Sequence, residues 1–146
     1  MTISLPHVLR SLAQHMDDQG VALFSLTDPY PDDPIRPAVT FGAFPESPIK
    51  AVAINYYNTN PNIFTVATTP LIRVQLAWRS DSENELDVIE LAENGFEKLH
   101  TMTPGPWPGG VHPIWMLRTI TNKPERDQND RWIQADSYDI QLNPGE

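Results

Sequence analysis

Apolar residues near the start of the chain recur at the spacing of one helix face. Ser4 can cap this helix, Pro6 is tolerated in its first turn, and Gly20 suits its end. The pattern predicts a helix over residues 5–16, followed after Gly20 by a short strand over residues 21–24. The apolar face comprises Leu5, Val8, Leu9, Leu12, Ala13 and Met16.

Alternation of apolar and polar residues predicts three further strands in the middle of the chain, over residues 38–41, 50–57 and 71–78. The third has the clearest alternation, which indicates one buried face and one face in polar surroundings. Val52, Ile54 and Tyr56 share a face of the second strand; Ile72, Val74, Leu76 and Trp78 form the buried face of the third, and Arg73, Gln75 and Ala77 its other face.

A second helix is predicted to open at Asp81 or Ser82, with acidic residues in its first turn, where the helix dipole favours them. Gly95 weakens this helix slightly. Two more strands follow, over residues 114–121 and 131–142, joined by a polar hairpin tip. The predicted buried stripe of the helix comprises Leu86, Ile89, Ala92, Phe96 and Leu99, widened by Val88 and Leu91.

The predicted order of elements is therefore α-β-β-β-β-α-β-β. Short polar links between consecutive strands favour a mainly antiparallel sheet, and two amphipathic helices can cover one of its faces. This arrangement is an α+β two-layer sandwich. Because neither a linker nor an internal repeat interrupts the pattern, we expect residues 1–146 to form one domain.

Composition narrows the possible functions. The chain has 146 residues, 10 of them basic and 19 acidic, and a net charge of −9. The basic residues are scattered, which argues against direct nucleic-acid binding, since that needs clustered Lys and Arg. No apolar run approaches the roughly 18 residues of a membrane span, and the start of the chain lacks the pattern of a secretion signal. We expect no membrane partner.

Catalytic and metal-binding patterns are missing from the sequence. With no cysteine, disulfides, thiolate metal sites and cysteine catalysis are excluded. His7 and His15 are eight residues apart on the first helix, too far to chelate one ion, and His100 and His112 flank a loop, where ordinary surface histidines are the better interpretation than a metal site. The aspartates of residues 28–33 lack the ligand spacing of a calcium loop. Phosphate-binding glycine loops and hydrolase or metalloprotease motifs are absent. We therefore expect a non-enzymatic protein that needs neither metal nor cofactor.

Two loops carry apolar residues suited to contacts with other proteins. Ile63, Phe64 and Val66 lie in a turn-rich loop over residues 58–69, which either contacts a partner or folds back over its own core. Trp107 lies among prolines and glycines, so it either plugs the edge of its own core or anchors a partner.

The arrangement of elements resembles the tail terminator proteins of long-tailed bacteriophages, a family that overlaps with minor capsid and tail completion proteins. Three parts carry the resemblance: the opening helix running into Gly20-Val21, the strand over residues 71–79 running directly into the helix from Asp81, and the closing hairpin. In that hairpin Pro124 and Arg131 are placed as in the family. The chain departs from the simplest members in a lengthened region over residues 42–69 and in its Pro/Gly-rich loop over residues 103–113.

The resemblance implies a homohexameric ring that caps the head-proximal end of the tail tube in the virion. Its partners would be copies of itself, the tail tube protein and the head–neck connector, with DNA only as passing cargo. Two acidic groups either line the bore or face outward for solubility: Asp28, Asp32 and Asp33 on a loop, and Glu83, Asp87, Glu90 and Glu93 on a helix. Another neck or head-completion protein of the particle, and a cellular small-molecule-binding α+β domain, remain as alternatives.

Overall fold

A computed structural model describes residues 4–59 and 71–143 as two helices and one mixed, mostly antiparallel sheet, which confirms the predicted α+β fold. The sheet order is β1-β2-β3-β6-β4, with β5 also paired to β6; β1 and β2 run parallel. The predicted contact loop with Ile63, Phe64 and Val66 lies outside the described residues. The elements are α1 (Leu5–Asp18), β1 (Ala38–Phe41), β2 (Ala51–Thr59), β3 (Leu71–Arg79), α2 (Glu85–Leu99), β4 (Pro113–Thr121), β5 (Glu125–Arg126) and β6 (Trp132–Leu142).

The first helix follows its capping signals closely. The Ser4 side chain accepts a hydrogen bond from the amide of His7, and Gly20 adopts a φ of 78° just after the helix. Val8, Leu12 and Met16 are buried, as their spacing predicted. Helix α1 is thus set by its own sequence, and its buried face joins the core cluster that also takes residues from α2 and the sheet.

The predicted strand over residues 21–24 is wrong: it is reduced to one parallel bridge, from Leu23 to β1. The next bond of that ladder would join the Ser25 amide to the Val39 carbonyl. Instead, the Tyr30 hydroxyl lies between them, accepting from Ser25 N (3.2 Å) and donating to Val39 O (2.7 Å). A side chain from the proline-rich loop, residues 28–37, thus replaces strand pairing.

The core lies between the helices and one face of the sheet. All four predicted residues of β3, from Ile72 to Trp78, are fully buried on this face, as are Ile140 and Tyr138 opposite them on β6. Val52 and Ile54 on β2 are buried too, but Tyr56 is 41% exposed, contrary to the prediction. Burial on this strand ends before its pairing with β3 is shifted by a bulge, between Tyr56 and residue 58.

The other face of the sheet is not uniformly polar. Arg73 forms a two-pronged ion pair with Asp139 across the strands, at 2.6 and 3.0 Å. Arg79, however, is buried and donates to the carbonyls of Pro45, Pro48 and Ile49. The segment after β1 therefore covers one end of this face, and an arginine satisfies its backbone carbonyls.

Helix α2 matches its predicted stripe in part, since Val88, Ala92 and Leu99 are buried as expected. Its cap is Asn84 rather than Asp81 or Ser82, and Leu86 is 63% exposed. The residues that face the core are Val88, Ala92, Gly95 and Leu99. Gly95 decides this orientation, because a Cβ there would lie 2.5 Å from Cζ2 of Trp78. The glycine permits close approach between helix and sheet.

Candidate functional surfaces

An acidic cleft runs along the outward side of α2. Its volume is about 490 Å³, and Lys50 is the one basic residue among its lining residues. The sequence grouped Glu83 with the acidic residues of this helix, but Glu83 precedes the helix, and its carbonyl accepts a bond from Trp132. The lining comprises Asp87, Glu90, Glu93 and Glu97 of α2, with Leu91 and Asn94, and Lys50, Ser80 and Asp81 from the sheet side.

The second predicted acidic group lies elsewhere. Asp28, Asp32 and Asp33 are exposed on the proline-rich loop and do not line the cleft. Asp32 accepts a bond from the Ser47 hydroxyl at 3.3 Å, and the Asp28 amide donates to Ser25. The two acidic groups are thus separate surfaces, and one bore need not contain both.

Trp107 packs into its own core, with 3% of its surface exposed. It stacks on His15 of α1, with 5.2 Å between ring centroids. Burial of that histidine lowers its pKa, which the nearby Asp18 carboxylate partly opposes. The next residues of the loop also reach α1, through the Ser11 hydroxyl and the His7 ring. Trp107 is therefore a plug between loop and helix and not an exposed anchor.

A buried polar cluster at the β4–β6 contact was not foreseen from the sequence. Asp136 is fully buried; one of its oxygens accepts from Thr121 (2.7 Å) and Gln134 (3.2 Å). Its other oxygen lies 3.5 Å from the guanidinium of Arg118, which also approaches Glu93 at 3.4 Å. Arg118 therefore ties β6 to α2 and compensates a buried carboxylate.

Further contacts fix Arg118 in place. Its guanidinium lies over the Phe96 ring, 4.0 Å from the centroid, and its backbone amide donates to Nδ1 of His100 at 2.9 Å. Neighbouring Tyr138 is buried as well, and its pKa is raised by burial and by the Asp136 charge. Strand alternation places position 136 on the same face as Tyr138 and Ile140, and this is the signal that could have revealed the cluster.

An apolar groove opens beside the first turns of α1. Leu9, Leu26 and Phe41 form its walls, and its volume is about 350 Å³. Leu26 is 70% exposed, and Phe41 packs edge-on against Phe24. The remaining lining residues are Leu5, Pro6 and Arg10.

A nearly bare aliphatic side chain projects from the proline-rich loop. Ile35 is 93% exposed, although its neighbour Pro34 is buried. Exposed aliphatic residues are common singly, but this one sits on a segment tied to the rest of the fold.

Residues 4–59 and 71–143 contain no group of three or more His, Cys, Asp or Glu side chains placed to hold a metal ion. Within the same ranges, neither helix has the length and apolar character needed to cross a bilayer.

No protein-family model matches the chain, and a search of curated proteins finds no matching relative.

Proposed function

We propose that this chain is a structural protein of a long-tailed bacteriophage, forming a ring, expected to be hexameric, at the head-proximal end of the tail tube. The ring ends growth of the tube and joins the tail to the head–neck connector. Its partners are other copies of itself, the tail tube protein and the connector protein. It takes no cofactor and performs no catalysis.

The observation that carries this proposal is the arrangement of elements. Helix α1 opens the fold, β3 leads after a five-residue connection into α2, and the β4–β6 pair closes it. These are the parts on which the resemblance to tail terminators rests. The chain departs from the simplest members of that family in the region over residues 42–69 and in the loop that holds Trp107.

Charge placement supports the same proposal. The α2 cleft gathers the carboxylates of Asp81, Asp87, Glu90, Glu93 and Glu97 on one surface. Such a surface repels DNA phosphates and offers them no counterion-releasing contact. A ring with α2 toward its bore therefore lets DNA slide, and this favours the helix group over the aspartate loop as the bore lining.

The test combines solution mass with electron microscopy. We expect the purified protein, alone or with tail tubes, to form rings with a central hole, and cryo-electron microscopy of intact particles to place it at the tube end. A density in another ring of the neck would assign it to head completion instead. A monomer that binds neither tubes nor connector would refute the virion proposal and favour a cellular binding domain.

The bore lining has its own experiment. Replacing Asp87, Glu90 and Glu93 by Lys should slow genome ejection from assembled particles, in a manner that weakens as salt is raised. Replacing Asp28 and Glu125 by Lys is the control, because both residues are exposed and lie outside the cleft, and it should leave ejection unchanged. Equal ejection by both variants, with normal tails, would place the acidic residues outside the bore.

A further inference from the structure

We propose that Ile35 of one copy inserts into the apolar groove of the next copy, between Leu9, Leu26 and Phe41. This inference rests on the proposed ring and names two surfaces through which its subunits meet. The occupant of the groove is thus a second copy of this chain, and the contact is head-to-tail.

The Ile35 loop is held for such a contact before binding. Arg36 donates to the Asp17 carbonyl at 3.0 Å and pairs with the Asp17 carboxylate at 3.3 Å. Lys50 donates to the carbonyl of Ile35 itself at 3.4 Å, and the preceding Pro34 is buried. Because the backbone on both sides is already fixed, burying this side chain loses little conformational entropy.

The groove matches an aliphatic occupant. Its walls are aliphatic and aromatic, and Leu26 and Phe41 remain exposed in the isolated chain. Its volume of about 350 Å³ exceeds that of one isoleucine side chain, so it can also take part of the adjoining loop. A bare aliphatic residue and an open apolar groove on the same chain are complementary surfaces.

Ile35 does not occupy the groove of its own copy, since it is not among the groove's lining residues and is 93% exposed. Arg36 fixes the Ile35 loop at Asp17, in the last turn of α1, whereas the groove lies beside Leu5 and Leu9 in the first turns. Eight to twelve helical residues separate these positions, roughly 12–18 Å along the axis. A contact between two different surfaces of identical chains is heterologous, and it closes into a ring when the rotation allows.

Charge favours the same pairing. Arg10 lines the groove and forms no ion pair with any residue in the described ranges. Asp32 and Asp33 are exposed beside Ile35. Docking the loop in the groove therefore brings two carboxylates toward an arginine. Two acidic loops that approach each other repel, which disfavours the wrong pairing.

The experiment compares the mass in solution of four proteins: wild type, Ile35→Ser, Leu26→Ser and the control Leu86→Ser. All three substituted side chains are exposed, so each variant should unfold at nearly the wild-type temperature. We expect Ile35→Ser and Leu26→Ser each to weaken self-association at least tenfold. Leu86→Ser, at a position 63% exposed and outside both surfaces, should assemble as wild type does.

Mixing provides the sharper test. The Ile35→Ser variant retains an intact groove, and the Leu26→Ser variant retains Ile35. A mixture of the two should therefore form heterodimers, whereas each variant alone should remain largely monomeric. A charge swap should behave likewise: Arg10→Glu weakens assembly, and combining it with Asp33→Arg restores at least part of it.

Each contrary result has a distinct meaning. If Leu26→Ser loses assembly while Ile35→Ser does not, the groove takes another segment or partner, and the proposal is wrong. Normal rings from both variants would overturn this contact and leave the proposed ring intact. A wild-type protein that remains monomeric at high concentration also overturns the contact, and the proposed function is then judged separately, on whether the chain is found at the tube end of particles.

Discussion

Gly95 of α2 lies directly against the indole of Trp78, at a distance that leaves no room for a Cβ. The indole is fully buried at the centre of β3. Rigid aromatic rings in a packed core cannot move aside at small cost. This one contact therefore sets how closely α2 approaches the sheet and which of its faces is inward.

Gly95→Ala should destabilise the protein, although alanine is the better helix former by about 1 kcal/mol. The added methyl overpacks the contact with Trp78, at a cost of roughly 1–3 kcal/mol. Chemical denaturation measures the balance. Asn94→Ala, the exposed neighbour on the same helix, is the control and should be neutral or slightly stabilising. A Gly95→Ala protein more stable than the wild type would contradict the close packing of Gly95 against Trp78.

Two leucines test which predicted core positions are buried in the folded chain. Leu76→Ala removes a fully buried side chain and should lower the free energy of unfolding by roughly 2–5 kcal/mol. Leu86→Ala, at a position 63% exposed, should cost about 0.5 kcal/mol or less. A large loss of stability in Leu86→Ala would show that Leu86 faces the core, as the helical spacing predicted. A loss below half a kcal/mol in Leu76→Ala would show that the buried face of β3 has been assigned wrongly.

Tyr30→Phe removes the hydroxyl that joins Ser25 and Val39. Two backbone groups then lose a partner, and we expect a loss of roughly 1–3 kcal/mol. Amide hydrogen exchange gives the specific readout: the Ser25 amide should exchange faster, whereas the Val39 amide, bonded to Leu23, should keep most of its protection. Unchanged exchange at Ser25 would mean that the hydroxyl does not hold this edge.

Burial of His15 makes stability depend on pH in a defined direction. Its folded pKa is lowered below the ordinary 6.5, mainly by burial, so the unfolded chain binds the proton more readily. The contribution is intact above pH 6.5 and is lost as the pH falls through the lower folded pKa. His15→Gln should flatten the decline in unfolding free energy below pH 6.5.

Removing Arg118 should destabilise the protein mainly because the buried Asp136 carboxylate then lacks a cation. Arg118→Met leaves a buried carboxylate without its cation and should cost roughly 3–5 kcal/mol. Adding Asp136→Asn removes that charge while an amide oxygen can still accept from Thr121. The double variant should therefore be more stable than Arg118→Met alone. Additive losses measured by denaturation would show that the pair is not coupled.

The parts of the fold that follow local rules could be predicted. Capping at Ser4 and the turn at Gly20 fixed α1, and strict alternation from Ile72 to Trp78 identified the core strand. These signals lie within a few residues of the structure they determine. The α+β arrangement follows from them.

The failures depend on contacts between distant residues. Helical spacing predicted that Leu86 faces the core, because nothing in the local sequence shows that Gly95 must face Trp78. The strand predicted over residues 21–24 does not form beyond one bridge, because the Tyr30 hydroxyl takes the place of the next backbone hydrogen bond. The exposed side chain of Ile35 and the groove near Leu26 could not be predicted, because the proline-rich sequence does not show which of its apolar residues are exposed after folding.

The Tyr30 hydroxyl has a consequence for how copies of this chain can meet. An open strand edge accepts the backbone of any other exposed strand, and such pairing continues without a defined number of copies. Here the hydroxyl occupies the Val39 carbonyl at the edge of β1, so that the edge is partly closed to strand addition. In the proposed ring, contact between copies is thereby left to side-chain surfaces, whose shape and charge can limit both the partner and the number of copies.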